Sequence, residues 1–254
     1  MLVSIFGREN MPGRDRFLYL LRRKRLMLPV PRTRHTTNSN HRYHKYKNLI
    51  RGFVPSAPNQ LWVSDITYID TQVGCLYLHL ITDAYSHKII GWKLSNSLKA
   101  IHTLDALQEA IKGTGKEDLK GLIHHSDRGS QYCCNAYVEE LECRNISISM
   151  TEDYKPTDNA IAERINGIIK QELIYRIDRF KNDKEAEEVI GKFIRFYNEK
   201  RPHMSIGMQT PNCTHEQSGP QNKMWKNKIY KKKVTENPDI FIDLQTQQQA
   251  LVTV

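Results

Sequence analysis

Between residues 61 and 69 the chain reads LWVSDITYI, apolar on both faces of an extended segment, with a single acid, Asp65, in its middle. Such a run predicts a central strand covered on both sides. GCLYLHLITD (74–83) and KIIGWKLS (88–95) flank a short AYSH turn and predict a hairpin, with Asp83 opening the turn. The period then changes. HTLDALQEAIKG (102–113) carries Leu104, Leu107 and Ile111 at the spacing of one helix face. LKGLIHHSD (119–127) predicts a short strand that ends on an acid, Asp127. CCNAYVEELECRN (133–145) predicts a helix and ISISM a strand. Helices follow over about 159–176 and 184–199, the second stopped by Pro202. Three strands followed by alternating helices and strands predict a mixed α/β layered domain.

The flanks have a different character. In GRDRFLYLLRRKRLML (13–28), Phe17, Leu20, Leu21 and Leu28 form an apolar stripe loaded with arginines at one end. NHRYHKYKNLI then interleaves Tyr43 and Tyr46 with Arg42, Lys45 and Lys47, a pattern suited to phosphate contact and packing on bases or sugars. PSAPNQ (55–60) marks a boundary. The expected organisation is a basic N-terminal arm (1–54), a core (55–216) and a Lys-rich, then polar tail (217–254).

Charge sharpens this division. The net charge is +10, and residues 1–54 hold 13 Lys and Arg against two acids, Glu9 and Asp15. The excess therefore sits in the arm and points to a polyanion partner, most often nucleic acid. No apolar run approaches the roughly 20 residues of a membrane span, and no signal peptide is expected. Five cysteines without a C-x-x-C pair read as reduced thiols in a cytoplasmic protein, with no structural zinc.

The chemistry lies in misplaced acids. A carboxylate buried in a strand costs several kcal/mol unless it is paired. Asp127 at the end of a second strand and Glu163 on a helix could meet Asp65 if the strands pair and the helix crosses their ends. Converging carboxylates repel each other, so such a cluster calls for divalent cations, and oxygen ligands without sulfur suit Mg²⁺ or Mn²⁺. Composition and spacing do not single these acids out: Asp70, Asp83, Glu152, Asp153, Asp158 and Glu172 are also candidates. Thr157 or Asp158 is expected to cap the helix, and Asn159 either caps it or points at the site. The preceding YKPTDN loop is expected to form a mobile flap.

Taken together, Asp65 in NQLWVSDITYI, Asp127 in HHSDRGSQY and Glu163 in YKPTDNAIAERINGIIKQE resemble the Asp-Asp-Glu triad of retroviral-type integrases and bacterial insertion-sequence transposases, with 35 residues between the second and third acids. YNEKRPHMSIGMQTP (197–211) is similar to the C-terminal core signature of the IS-three group, in its downstream-frame product. The resemblance covers about residues 13–215. It implies a ribonuclease H-like fold, two Mg²⁺ (or Mn²⁺) ions held by the triad, cleavage at the ends of a mobile element and 3′-hydroxyl strand transfer into target DNA. It also implies that a cation seven residues after the Glu touches terminal DNA. Here that is Lys170, about 700° and roughly 10.5 Å along the helix, on the Glu163 face. Arg164 and Arg128 join Arg42, Lys45 and Lys47 as candidate DNA contacts. His125, Arg128, Arg201 and His203 either touch phosphate or serve the structure.

The implied partners are the element's terminal inverted repeats, target DNA, an upstream-frame helix-turn-helix protein or fusion, and further copies of the chain. The implied location is the bacterial cytoplasm, at the nucleoid. Two other readings remain open. A ribonuclease of the same fold would need another acid near the first strand and would lack the RPH stretch. A non-catalytic DNA-binding module would use the arm and leave Asp65 unexplained.

Overall fold

Antiparallel neighbours need only tight turns, whereas parallel neighbours need a crossover, and the chain uses both in sequence. In the computed structural model, which describes residues 7–8, 11–27, 40–152, 159–221 and 224, β1 (Leu61–Thr71), β2 (Gly74–Asp83) and β3 (Ile89–Ser95) form an antiparallel meander. Helix α2 (Ala100–Thr114) leads to β4 (Ile123–Ser126), which pairs parallel to β1. Helices α3 (Ser130–Cys133) and α4 (Asn135–Cys143) lead to β5 (Ser147–Met150), parallel to β4. The strand order is β3-β2-β1-β4-β5. Then come α5 (Ala160–Glu172), α6 (Asp183–Glu199) and α7 (Pro211–His215), while α1 (Arg14–Arg23) lies in the basic arm.

Side-chain alternation along β2 sorts the layers. Leu76, Leu78 and Leu80 pack with Ile165, Ile168 and Ile169 of α5 and with Ile190 and Ile194 of α6. Ile81, with Trp62 of β1, packs on the other face with Leu107 and Ala110 of α2 and Tyr137 and Leu141 of α4. The result is the expected mixed sheet flanked by helices, a ribonuclease H-like arrangement. The α2 layer sits close on β3. A Cβ on Gly91 would stand 2.2 Å from the Ala106 carbonyl oxygen and 2.9 Å from the Ala110 Cβ. Gly91→Ala should therefore cost roughly 3 kcal/mol or more, lowering the melting temperature by about 6–12 °C at this domain size. A thermal melt within about 2 °C of wild type would refute that close approach.

Both sheet edges are covered, which blocks edge-to-edge pairing. On β3, the Asn198 amide accepts from Ile89 N–H (3.0 Å) and donates to Ile89 C=O (2.9 Å), and Glu109 accepts from Trp92 N–H at 2.8 Å. At β5, Met150 N–H donates to the Lys47 carbonyl of the arm at 3.3 Å, and Leu49 N–H donates to Ser149 Oγ at 2.8 Å. The first residues of the tail return to the start of the core, where Gly219 N–H donates to the Ser56 carbonyl at 2.7 Å. The hairpin turn forms as expected, with Asp83 accepting from Ser86 N–H and from Asn59 N–H.

Several boundaries differ from the pattern. The segment 119–127 is a strand only over Ile123–Ser126, because the chain first turns through Gly121, whose φ of +94° lies in the left-handed region. The single helix over 133–145 is two, split where Cys134 is extended (φ −70°, ψ 150°). The helix read over 159–176 ends at Glu172, and a 3-10 turn, Ile174–Arg176, completes it. Helix α1 forms within 13–28 but buries none of its residues, and Leu28 lies outside the described residues. So do Asp153, Thr157, Asp158, all of the YKPTDN loop except Asn159, and most of the tail. Arg201 and His203 have partners within the fold: Arg201 Nε pairs with Glu172 at 2.8 Å at the end of α5, its guanidinium lies over the Tyr197 ring, and the His203 ring meets Tyr197 edge-on. All five cysteines are free thiols. No helix among the described residues is long and apolar enough to cross a membrane.

Candidate active site

Register decides which way Asp65 points. It lies opposite Leu80 of β2, on the face that α5 covers. A slip of one residue would send it to the other face. Its Oδ1 accepts from the Ile66 N–H at 2.8 Å and its Oδ2 from the Asn166 amide at 2.7 Å. Strand β4 runs parallel to β1 with Val63 beside His125. Continuing that register by two residues brings Asp127, just past the end of β4, alongside Asp65. Asp127 Oδ1 accepts from Gly129 N–H at 2.9 Å, which holds the turn that follows.

Helix α5 crosses this pair. Asn159, Glu163, Asn166 and Lys170 follow one another at spacings of four, three and four, so they share one helix face. Asn159 stands at the helix start, but its amide does not cap the helix. It donates to the Ser64 carbonyl on β1 at 3.0 Å. Asn159 and Asn166 thus pin the helix to the strand, one at the Ser64 carbonyl and the other at Asp65 itself. Asn166 was not singled out from the sequence, although the stripe that joins Glu163 to Lys170 passes through it.

Charge is poorly balanced here. Burial first, and then the nearby Asp127, push the Asp65 carboxyl up to about 7 against the pull of its two hydrogen bonds, and Glu163 adds a smaller push. Glu163 is exposed on α5 and is raised by partial burial. The structure therefore brings Asp65 and Asp127 together with Glu163 a step back. Among the described residues, no three His, Cys, Asp or Glu side chains stand close enough to enclose a metal ion. The donor set nonetheless suits a hard divalent cation: it is all oxygen, it repels itself, and the Asp65 carboxyl is held near neutrality with its charge only partly offset.

The candidate cations fall into four places. Lys170 is half-buried. Burial lowers its pKa, while Asp65 and Asp70 pull it back up, so it feels the acids more directly than two turns of helix suggested. Arg164 is exposed, and its charge reaches Tyr197 and His203 on the C-terminal side. Arg42, Lys45 and Lys47 are exposed on the arm. Arg128 is half-buried, with its Nη1 donating to the Glu152 carbonyl at 3.2 Å. Neighbouring His125 is buried, its Nδ1 2.8 Å from Ser149 Oγ.

Comparison with known proteins gives this geometry a context. Two family models, each described as an integrase core domain, match residues 55–156 and 144–211. The chain is 40% identical over 207 residues to the insertion element IS600 uncharacterized 31 kDa protein of Shigella sonnei, covering 80% of this chain and 75% of that one. It is 34% identical over 167 residues to transposase InsF for insertion sequence IS3A of Escherichia coli K12, covering 65% and 57%. A chain of the simian T-cell lymphotropic virus intasome shares the fold at a TM-score of 0.55 and 18% identity, covering 74% of this chain and 66% of that one. The chain spans about 59% of the length of other curated relatives that it matches.

Proposed function

We propose, from the premise that the chain belongs to the integrase-core family of insertion-sequence transposases, that it is the catalytic part of a DNA transposase. Its reaction is cleavage at the ends of a mobile element and transfer of the 3′-hydroxyl ends into target DNA. The observation that supports this most is the placement of Asp65 inside an apolar sheet, beside Asp127 and beneath the helix that carries Glu163. A fold has no structural use for two adjoining acids at such a point.

Asp65, Asp127 and Glu163 would hold the divalent metal, two Mg²⁺ or Mn²⁺ ions, which when bound activate a water or 3′-hydroxyl and stabilise the leaving oxygen of the phosphodiester. The protein's own contribution is position. The Asn166 amide occupies one lone pair of Asp65 Oδ2 and orients the carboxylate, while Asn159 anchors the start of the same helix. Lys170, Arg164, Arg42, Lys45 and Lys47 take phosphates, with residues 1–54 as the DNA arm, 55–216 as the catalytic core and 217–254 as the tail. The DNA partners are the terminal inverted repeats and the target. An upstream-frame helix-turn-helix protein or fusion recognises the ends, further copies of the chain hold two ends together, and the work takes place in the cytoplasm at the nucleoid.

The test is a strand-joining assay with labelled element-end duplex and any upstream-frame partner supplied. Joined products are expected with Mg²⁺ and none with chelator. A chain that instead cuts RNA–DNA hybrids and never joins DNA is a nuclease, and the proposal fails. Lys170→Ala is expected to weaken binding of the end and to reduce the slope of log affinity against log salt by about one. An unchanged slope would remove Lys170 from the DNA contacts.

A further inference from the structure

Residues 41–51 are expected from sequence to meet DNA, yet much of their polar chemistry is directed inward. Lys47 C=O accepts from Met150 N–H at 3.3 Å on the β5 edge. Leu49 N–H donates to Ser149 Oγ at 2.8 Å. Asn48 N–H donates to Glu152 Oε1 at 2.9 Å, and Arg51 pairs with Glu152 Oε2 at 2.9 Å. Tyr46 packs against the cluster built on Trp62 and Tyr132. The segment is a strap laid along β5, and it ends on the turn after Asp127. There His41 Nε2 lies 2.9 Å from the Arg128 carbonyl oxygen. A carbonyl only accepts, so Nε2 must carry the proton. The Arg128 side chain, half-buried, reaches the Glu152 carbonyl, and its Nε is buried with no partner among the described residues.

Arg128 is therefore held at both ends, its carbonyl by His41 and its guanidinium by the residue the strap grips. Between these grips lies the turn in which Gly129 N–H holds Asp127 Oδ1. We propose that Arg128 is a positioning residue, through which the docked strap sets the Asp127 carboxylate for metal, rather than a phosphate contact. The same strap presents Arg42, Lys45 and Lys47 outward, so DNA bound to the arm bears on the element that shapes the site. The inference rests on the reading of Asp127 as a metal ligand. It concerns how that ligand is aimed.

The test uses the full chain, with two readouts taken without DNA and a third, the salt dependence of DNA binding, taken with it. The first is amide hydrogen exchange across 126–131 in metal-free protein, which does not depend on the catalytic reading. The second is Mn²⁺ binding followed by electron paramagnetic resonance. His41→Ala and Arg128→Ala should each speed exchange in 126–131 by about fivefold, the worth of one lost hydrogen bond. They should weaken Mn²⁺ binding roughly 10-fold, as the loss of an orienting partner does at metal sites. His41→Gln, whose amide can still donate to the Arg128 carbonyl, should restore both. Faster exchange throughout the core in His41→Ala would mean general destabilisation and would overturn the inference. So would unchanged exchange in 126–131, or unchanged Mn²⁺ affinity beside a loosened turn. Loss of one unit of salt slope in DNA binding by Arg128→Ala, with exchange unaffected, would make Arg128 a phosphate contact instead. Asp127→Asn that binds Mn²⁺ like wild type would overturn the catalytic reading, and this inference with it.

Discussion

Asp65→Asn, Asp127→Asn and Glu163→Gln should each lower strand joining by about 1,000-fold or more, a barrier increase of roughly 4 kcal/mol at 1.36 kcal/mol per decade, while the protein still folds and binds element ends. The substitutions keep shape and remove one charge. Folding survives at position 65 because the neighbouring amide can adapt. Asn166 Oδ1 has no hydrogen-bond partner among the described residues, so a flipped Asn166 accepts from the new amide. DNA binding survives because the cations assigned to it lie elsewhere, on the arm and further along α5. The measurements are joining in Mg²⁺ and end binding in calcium or chelator. Near-normal joining by any one variant would remove that acid from the site.

The second large effect is on stability and has an unusual sign. A paired Asp normally has its pKa depressed and stabilises the fold as pH rises. Asp65 is raised instead, to about 7 from the ordinary 3.8. Between these values the folded protein keeps a proton that the unfolded chain has released, so metal-free stability falls as pH rises from about 4 to about 7. Above that the cost is constant, at most about 4 kcal/mol for three units. Buried histidines run the other way: His79 is lowered to about 4, and His124 and His203 to about 3, chiefly by burial, so each adds stability as pH rises toward 6.5. Wild type alone therefore shows a blunted profile, whereas the difference between Asp65→Asn and wild type cancels the histidines. That difference should be near zero at pH 4 and reach a few kcal/mol in favour of the variant by pH 8. Mg²⁺ should raise the wild-type melting temperature at pH 8 and leave the variant unmoved. A pH-independent difference, or equal stabilisation of both by Mg²⁺, would contradict the electrostatic account of the pair.

What could be read directly was whatever a local period encodes. Alternation and apolar runs placed β1, β2, β3 and the α5 and α6 helices, because burial of one face imposes a period of two or 3.6 on the chain. Asp65 stood out because a charge within an apolar strand contradicts that period, and Lys170 aligned with Glu163 by helix arithmetic alone. The short elements were misjudged where a single residue governs them: the turn at Gly121 and the break at Cys134 are backbone events that no repeating pattern announces.

The partners of these residues were decided by the tertiary structure. Asn166 meets Asp65 across 101 positions, and Asn159 meets Ser64 across 95. An amide in a helix carries no sign of the strand it will face. The arm was legible as basic, which is a property of composition. That its backbone docks on β5 and its His41 reaches the Arg128 carbonyl depends on an edge strand left open by the β4–β5 crossover. The sequence by itself determined the sheet's core, the helix faces and the anomaly at Asp65, because each is a contrast between neighbours in the chain, whereas Asp127 and Glu163 stood apart from the other acids only through the family resemblance. Only the fold decided which acids lie together, which amides hold them and where the arm is strapped, because those are contacts between residues far apart in the chain.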